Sequence, residues 1–370
     1  MSASEKSPES KSLLSTQNLV IAGVVWSILA LLFFLLFSVP QPGEEERLWY
    51  EVGTTIFELG AYLAASLLCF RNWRSPQIVS GRTVWLAIGL GMLFYLIGGI
   101  LFFYWETVLQ LAADVSPGDI FYVLTYLCLG WGLISAVFSR RLTLEIWQWG
   151  VVAGIAAVGI VIGALVSSPP AEAYSPTPMA IVAQAPTNRP TQASPAKPPA
   201  RQPATRPAAK PAAKPAPVAK PAPAATTPPA AQPATPVVAP SPATPPEEPE
   251  SNAPQWAKDL QGQLEPLKTG VNLFYIISDV VLLIMATILL LAFWGGRSSL
   301  SWRMIAAAAF SLYIADIWFK YATTNIKDYR SGSLPEVFWI FSGVLFALGA
   351  ALEYDLSTRS RRTGRRRSAS

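Results

Sequence analysis

The chain is expected to fold as an all-α integral membrane protein: about eight transmembrane helices, built as two parallel three-helix repeats plus two extra spans, with a long disordered Pro/Ala-rich linker. Three observations carry that expectation. Apolar residues make up 52% of the 370 residues and charged residues only 14%, with a mean hydropathy of +0.36; this excludes an ordinary soluble domain. Eight apolar runs are each long enough to cross about 30 Å of hydrocarbon at about 1.5 Å per residue. Two stretches of about eighty residues, 54–138 and 272–354, carry the same marks in the same order.

Residues 1–18 are polar with mixed charges (Glu5, Lys6, Glu9, Lys11) and suit a disordered cytoplasmic tail. The first span, 19–39, reads as uncleaved: a signal peptide has a shorter apolar core and a small-x-small site, and Phe37-Ser38-Val39-Pro40 offers neither cleanly. Further spans follow at about 54–70, 84–104, 118–138 and 146–166, and then at about 272–293, 302–322 and 335–353.

The repeat is positional. Ser116-Pro117-Gly118-Asp119-Ile120-Phe121-Tyr122 opens the third run of the first unit, and Ser333-Leu334-Pro335-Glu336-Val337-Phe338-Trp339 opens that of the second. In this register Asp119 falls on Glu336, Phe121 on Phe338, Tyr122 on Trp339, Thr125 on Ser342 and Gly132 on Gly349. The middle runs start near Trp85 and Trp302 and carry Tyr95 and Tyr313 one residue out of step. The first runs hold one acid each, Glu58 and Asp279, provided the loop after the first is longer by about four residues. Chance likeness is the competing account, because apolar helices draw on a small alphabet.

Lys and Arg in short loops set orientation. Arg71, Arg74 and Arg82, then Arg140 and Arg141, then Arg297 and Arg303 fall in alternate loops, which belong on the cytoplasmic side. The intervening loops hold Glu44, Glu45, Glu46 and Glu51, then Glu106 and Asp114. One outer loop dissents with Lys320, Lys327 and Arg330 beside Asp328. Both termini are then cytoplasmic and the two units share one orientation.

Residues 168–254 hold 26 of the 33 prolines. Such a segment buries too little apolar surface to offset its ordering entropy and favours extended polyproline II, with a reach on the order of 200 Å. It is read as an extracytoplasmic tether between two bundles, with contact to an anionic envelope polymer as the alternative. Residues 255–268 place Trp256, Leu260, Leu264 and Leu267 at nearly helical spacing, as an interfacial helix would, and Pro266 would end it; continuation of the linker is the competing account.

Small residues four apart let helices approach closely in lipid. Span five has Gly150 with Gly154 and Gly159 with Gly163, span eight has Gly343, Ala347 and Ala351, and span three has Ala87 with Gly91. Span five carries almost no polar group and reads as an adhesive helix, not a lining one.

Histidine is absent and there are two cysteines. That excludes a His-based catalyst, a His-ligated haem and a Cys/His zinc site, and no cofactor or metal is expected. Cys69 and Cys128 lie at different depths, which argues against a disulfide.

Ionisable groups inside spans cost about 2.5 to 3.5 kcal/mol on insertion scales and therefore mark candidate sites. Glu58, Asp279 and Asp316 with Lys320 all fall in the outer half of the bilayer, and Asp119 and Glu336 begin their spans at the same boundary. Asp316 and Lys320, four apart, can cancel charge along one helix. Asp279 has no such partner and needs a cross-helix donor such as Tyr313, a proton or a bound cation. The candidate ligand-binding set is therefore Glu58, Asp279, Tyr313, Asp316 and Lys320, lining a polar pocket open to the outside; an interhelical hydrogen bond at the unit junction is the bland alternative. In the basic cytoplasmic tail, 355–370, Arg361, Arg362, Arg365, Arg366 and Arg367 are expected to clamp anionic lipids of the inner leaflet, and nucleic acid is not an expected partner.

Residues 273–352 resemble the multi-span bacterial membrane modules found ahead of diguanylate cyclase or histidine kinase domains, through Phe274-Tyr275-Ile276-Ile277-Ser278-Asp279, Tyr313-x-x-Asp316, Tyr329-x-Ser331-Gly332 and Phe338-Trp339; 54–138 resembles them more loosely. The resemblance implies a sensory role, but here an Arg tail stands where an output domain would follow. Signalling would pass to a separate partner or another membrane protein. The function expected is thus a non-enzymatic sensor or scaffold binding a ligand or membrane partner; the alternative is a small-solute or ion transporter. No nucleophile–base pairing suggests an enzyme. The expected location is a bacterial inner membrane, or a thylakoid membrane in a photosynthetic host.

Overall fold

A computed structural model describes residues 15–39, 48–78, 80–111, 115–139, 144–167, 253–293, 299–326 and 329–367; side chains from 360 onward are not described. The tail at 1–14, nearly all of the linker at 168–254, and Glu44, Glu45, Glu46, Asp114, Arg140, Arg141, Arg297, Lys327 and Asp328 lie outside these residues. The described helices belong to one unit, contributed by residues on both sides of 175–248.

Eight helices are long and apolar enough to cross a membrane, and no strand occurs among the described residues. Helix α1 (Thr16–Phe37) starts at Ser15, whose hydroxyl accepts from the Asn18 amide at 3.3 Å. Only Ala30 and Phe34 of α1 are buried. Helix α2 (Leu48–Arg74) begins six residues before the expected span. Its polar start does not break it, because Thr54 and Thr55 donate their hydroxyls to the Glu51 carbonyl at 2.9 and 2.8 Å. Helices α3 (Arg82–Phe103), α4 (Asp119–Ser139) and α5 (Ile146–Ser167) follow the expected spans within a few residues, and α3 ends in one π-turn, Tyr104–Val108.

The amphipathic segment before span six is helix α6 (Gln255–Leu264). Pro266 ends it as expected: a single 3-10 turn, Glu265–Leu267, joins it to α7 (Lys268–Ala292). Its contact face differs from the expected stripe. Ala257 and Leu260 pack on Trp105, Leu109 and Leu111, whereas Trp256 and Leu267 point away from the protein. Helix α8 spans Ser299–Asn325, and α9 spans Val337–Arg367 after a 3-10 turn at Leu334–Glu336. No break separates span eight from the basic tail. Asp355 pairs with Arg359 one turn on, at 2.9 Å, and the helix continues to Arg367.

The six helices of the two units close into a ring: α2 against α3, α3 against α4, α4 against α7, α7 against α8, α8 against α9, and α9 back against α2. The first helix of each unit thus meets the third helix of the other, as a two-fold axis along the helix direction requires. Helix α1 packs outside on α9 and α2, and α5 on α7 and α8.

Matched residues confirm the register. A Cβ on Gly132 would lie 3.1 Å from Ile88, and one on Gly349 would lie 2.6 Å from Ile305, the matching isoleucine. Trp85 and Trp302, also matched, touch each other with ring centroids 6.1 Å apart, which puts both beside the axis. Phe293 stacks on Trp302, and Ile88, Leu289 and Ile305 are fully buried around them. This half of the ring is filled with apolar side chains. Cys69 and Cys128 are free.

The small residues act at particular seams. Gly343 brings α9 within 2.9 Å of where its Cβ would meet Ala61 of α2, with the α2 backbone at 3.2 Å. Gly159 and Gly163 seat α5 against Leu283 and Ile276. Of the two glycine pairs in span five, only this one is a packing seam: a Cβ on Gly150 or Gly154 would meet nothing within 4 Å.

Candidate functional site

The half of the ring that carries the α3–α4 and α8–α9 connections is not filled. It encloses a cavity of about 150 Å³ lined from all six ring helices and by Phe34 of α1. Glu58, Asp279, Asp316 and Lys320, four of the five expected site residues, line it together. Their convergence follows from the ring: positions near the same ends of α2, α7 and α8 face one axis.

At its base lies a three-residue bridge. The Tyr126 hydroxyl of α4 is 2.6 Å from Asp279 Oδ1 and 2.5 Å from Asp316 Oδ2, and Trp339 Nε1 donates to Asp316 Oδ1 at 2.7 Å. Asp279 is 3% exposed and Tyr126 is 8% exposed, so water does not replace these partners. The cross-helix hydrogen-bond partner of Asp279 is thus Tyr126, not Tyr313. Tyr313 does not line the cavity; one residue out of step with Tyr95, it turns outward and donates to the Gly159 carbonyl of α5 at 3.2 Å.

Glu58 accepts from Tyr95 at 2.8 Å, so the acid of the first unit is satisfied within its own unit. Lys320 donates to Asn272 Oδ1, which holds its ammonium across the α7–α8 seam. Asp119 opens α4 and reaches back to accept from the Ser116 amide at 2.6 Å, while its other oxygen accepts from Tyr275 at 2.5 Å. Tyr95, Tyr122, Tyr126, Tyr275, Phe319 and Trp339 provide aromatic walls.

The rim is a strap made by residues 329–336. Glu336 accepts from the Gly332 amide at 2.6 Å and from the Tyr329 hydroxyl. Burial, and then the adjacent Glu336 carboxylate, push the Tyr329 phenol up. Across the ring, Glu106 in the π-turn accepts from the Ser331 amide at 3.0 Å, Tyr50 donates to the Gly332 carbonyl at 2.6 Å, and Arg330 donates to Gln110. The dissenting cation of that loop thus has a structural use. Gly332 sits at φ +117°, and a Cβ there would come within 2.9 Å of Tyr50 Cε1. Gly332→Ala is therefore expected to destabilise the strap by about 2 kcal/mol. Hydrogen exchange at 329–336, measured beside the thermal midpoint, checks it; unchanged protection there would show that the strap does not depend on this glycine.

Sequence reasoning missed Tyr126, Trp339 as a donor, and Glu106. Trp339 was visible as the partner of Tyr122 in the repeat register. Tyr126 was not, because its matched residue is Gly343; a departure from the repeat was the available signal. The side chains of Arg361, Arg362, Arg365, Arg366 and Arg367 lie outside the described residues. Among the described residues, no group of three or more metal-ligating side chains could hold a metal ion. No family model, no curated protein and no solved structure matches the chain.

Proposed function

We propose that the protein is a non-enzymatic membrane receptor that binds a small organic cation in this cavity and passes the event to a separate membrane or signalling partner. The observation that carries the reading is the composition of one enclosed wall: seven carboxyl side chains (Glu51, Glu58, Glu106, Asp119, Asp279, Asp316 and Glu336) face a single lysine across a cavity panelled with tyrosine and tryptophan. Carboxylates supply charge, and aromatic faces attract a poorly hydrated ammonium through their quadrupole. A cavity of 150 Å³ has room for a guest of about benzene size. A choline-sized ammonium is of that order. Among the described residues no group of three or more acids is placed to hold a metal ion, which favours an organic cation.

The resemblance to sensory membrane modules supports a receptor over a channel, as does the apolar filling of the other half of the ring around Trp85 and Trp302. A transporter with the same pocket is the second reading, favoured by the parallel three-helix units. The basic loops of the sequence support a cavity that opens on the outer side of the membrane.

Choline, titrated calorimetrically into the full chain in mild detergent, is expected to bind at millimolar concentration or tighter, about −4 kcal/mol or better. Its uncharged carbon isostere is expected not to bind, and Asp316→Asn is expected to weaken choline about tenfold, the loss of about 1.4 kcal/mol. Equal binding of the two compounds would sink the charge-based reading. Choline flux into proteoliposomes, abolished by Asp279→Asn, would replace the receptor by the transporter.

A further inference from the structure

The bridge at the base of the cavity can be read by counting hydrogens. A phenol has one proton to donate, yet the Tyr126 oxygen lies within hydrogen-bond distance of two carboxyl groups, Asp279 at 2.6 Å and Asp316 at 2.5 Å. Were both carboxyls ionised, one contact would be a hydrogen bond and the other would press two oxygen lone pairs together. One carboxyl must therefore donate to Tyr126 while Tyr126 donates to the other.

The neighbours decide which. Asp316 receives a second donor, Trp339 Nε1 at 2.7 Å, and it precedes Lys320 by one helical turn, so Asp316 is equipped to hold a negative charge. Asp279 has no other donor among the described hydrogen bonds. The chain of bonds that satisfies every group runs from the Asp279 hydroxyl to Tyr126, and from Tyr126 to the Asp316 carboxylate, each bond polarising the next.

We infer that Asp279 is the protonated member of this pair and that a cation entering the cavity displaces its proton, so that ligand binding and proton release are one event. The exchange rests on the binding reading above; the protonation of Asp279 does not. When the cation arrives, the Asp279 O–H bond breaks, the proton leaves through the cavity to the medium, the ligand's charge balances the new carboxylate, and Tyr126 keeps its bond to Asp316 while its contact with Asp279 opens. The titratable and charged groups near enough to feel the pair are Glu58 and Tyr62 of α2, Tyr95 of α3, Tyr122 and Tyr126 of α4, Tyr275 of α7, Lys320 of α8 and, from outside the cavity, Tyr313 of α8, with Trp339 of α9 as an uncharged donor. Lys320 is the one cation among them. Its ammonium also serves Asn272, which leaves the second acid to be balanced by a proton or by a guest.

Infrared spectra of the full chain in mild detergent test the first half. The wild type is expected to show a protonated-carboxyl C=O stretch that shifts on deuterium exchange and is absent from Asp279→Asn. Choline tests the second half without any substitution, and its quaternary ammonium has no proton of its own to confuse the count. Added to wild type, it is expected to remove the same band. Calorimetry in two buffers of different ionisation heat is expected to show one proton released per choline bound, with affinity falling about tenfold for each unit of acidification while Asp279 stays protonated. Absence of the band from the ligand-free wild type, or its persistence in Asp279→Asn, overturns the assignment. Choline binding without proton release overturns the exchange and leaves the receptor standing. Failure of choline to bind while the band is present removes the receptor reading and the exchange together, and supports the protonated Asp279.

Discussion

Gly343→Leu separates α2 from α9 and lowers the stability of the bundle by about 3 kcal/mol, at the upper end of the cost of overpacking. The reason is what the new side chain would meet. A bare Cβ at 343 already falls 2.9 Å from Ala61 Cβ, and 3.2 Å from the Ala61 carbonyl carbon and the Tyr62 nitrogen. A side-chain end can rotate away; a helix backbone cannot, so the two helices must part. Lipid offers no hydrophobic drive to bring them back, because tails are as apolar as the residues at the seam. The damage spreads to what the seam holds in place, including Asn72, whose amide donates to the Ala350 carbonyl of α9 at 2.9 Å. Unfolding of the detergent-solubilised chain by a denaturing detergent measures the effect. A shift no larger than that of Gly130→Leu, whose Cβ meets nothing within 4 Å, would show that the seam is looser than its geometry.

Tyr126→Phe is expected to cost about 2 kcal/mol of stability, because it strands two buried partners at once. Asp279 and Asp316 both lose the Tyr126 hydroxyl, and what remains is Trp339 on Asp316 and the contact of the two carboxyls with each other. Removing one stranded group together with the hydroxyl should recover part of the loss, since replacing both partners of a hydrogen bond by apolar groups costs less than orphaning one. Tyr126→Phe/Asp279→Leu is therefore expected to melt above Tyr126→Phe alone. A double variant less stable than either single variant would mean that the bridge contributes through something other than its hydrogen bonds. In the same samples, Tyr126→Phe is expected to weaken choline binding, because the carboxyl pair loses the group that spaces it.

The helices were legible in the sequence because lipid enforces length and hydropathy on every span. The pairing of Trp85 with Trp302, Gly132 with Gly349 and Asp119 with Glu336 was legible because the duplication preserves position. Element ends were less so. Thr54 and Thr55 look like helix breakers until their hydroxyls find the Glu51 carbonyl, and the arginines after 355 look like a tail until α9 carries them on as helix. Within the site, depth gathered Glu58, Asp279 and Asp316 from three distant stretches. It could not choose their donors. Whether Tyr95 or Tyr313 faces inward depends on one residue of rotation, about a quarter of a helical turn.

A frame with two-fold symmetry has two equivalent corners where a first helix meets a third helix of the other unit. Here the matched pair Tyr126 and Gly343 sets the two corners apart. The tyrosine props its corner open around a polar contact, and the glycine lets the opposite corner shut. Because all six ring helices line one cavity, the proposed guest would bind once per chain, on the axis that the two halves share.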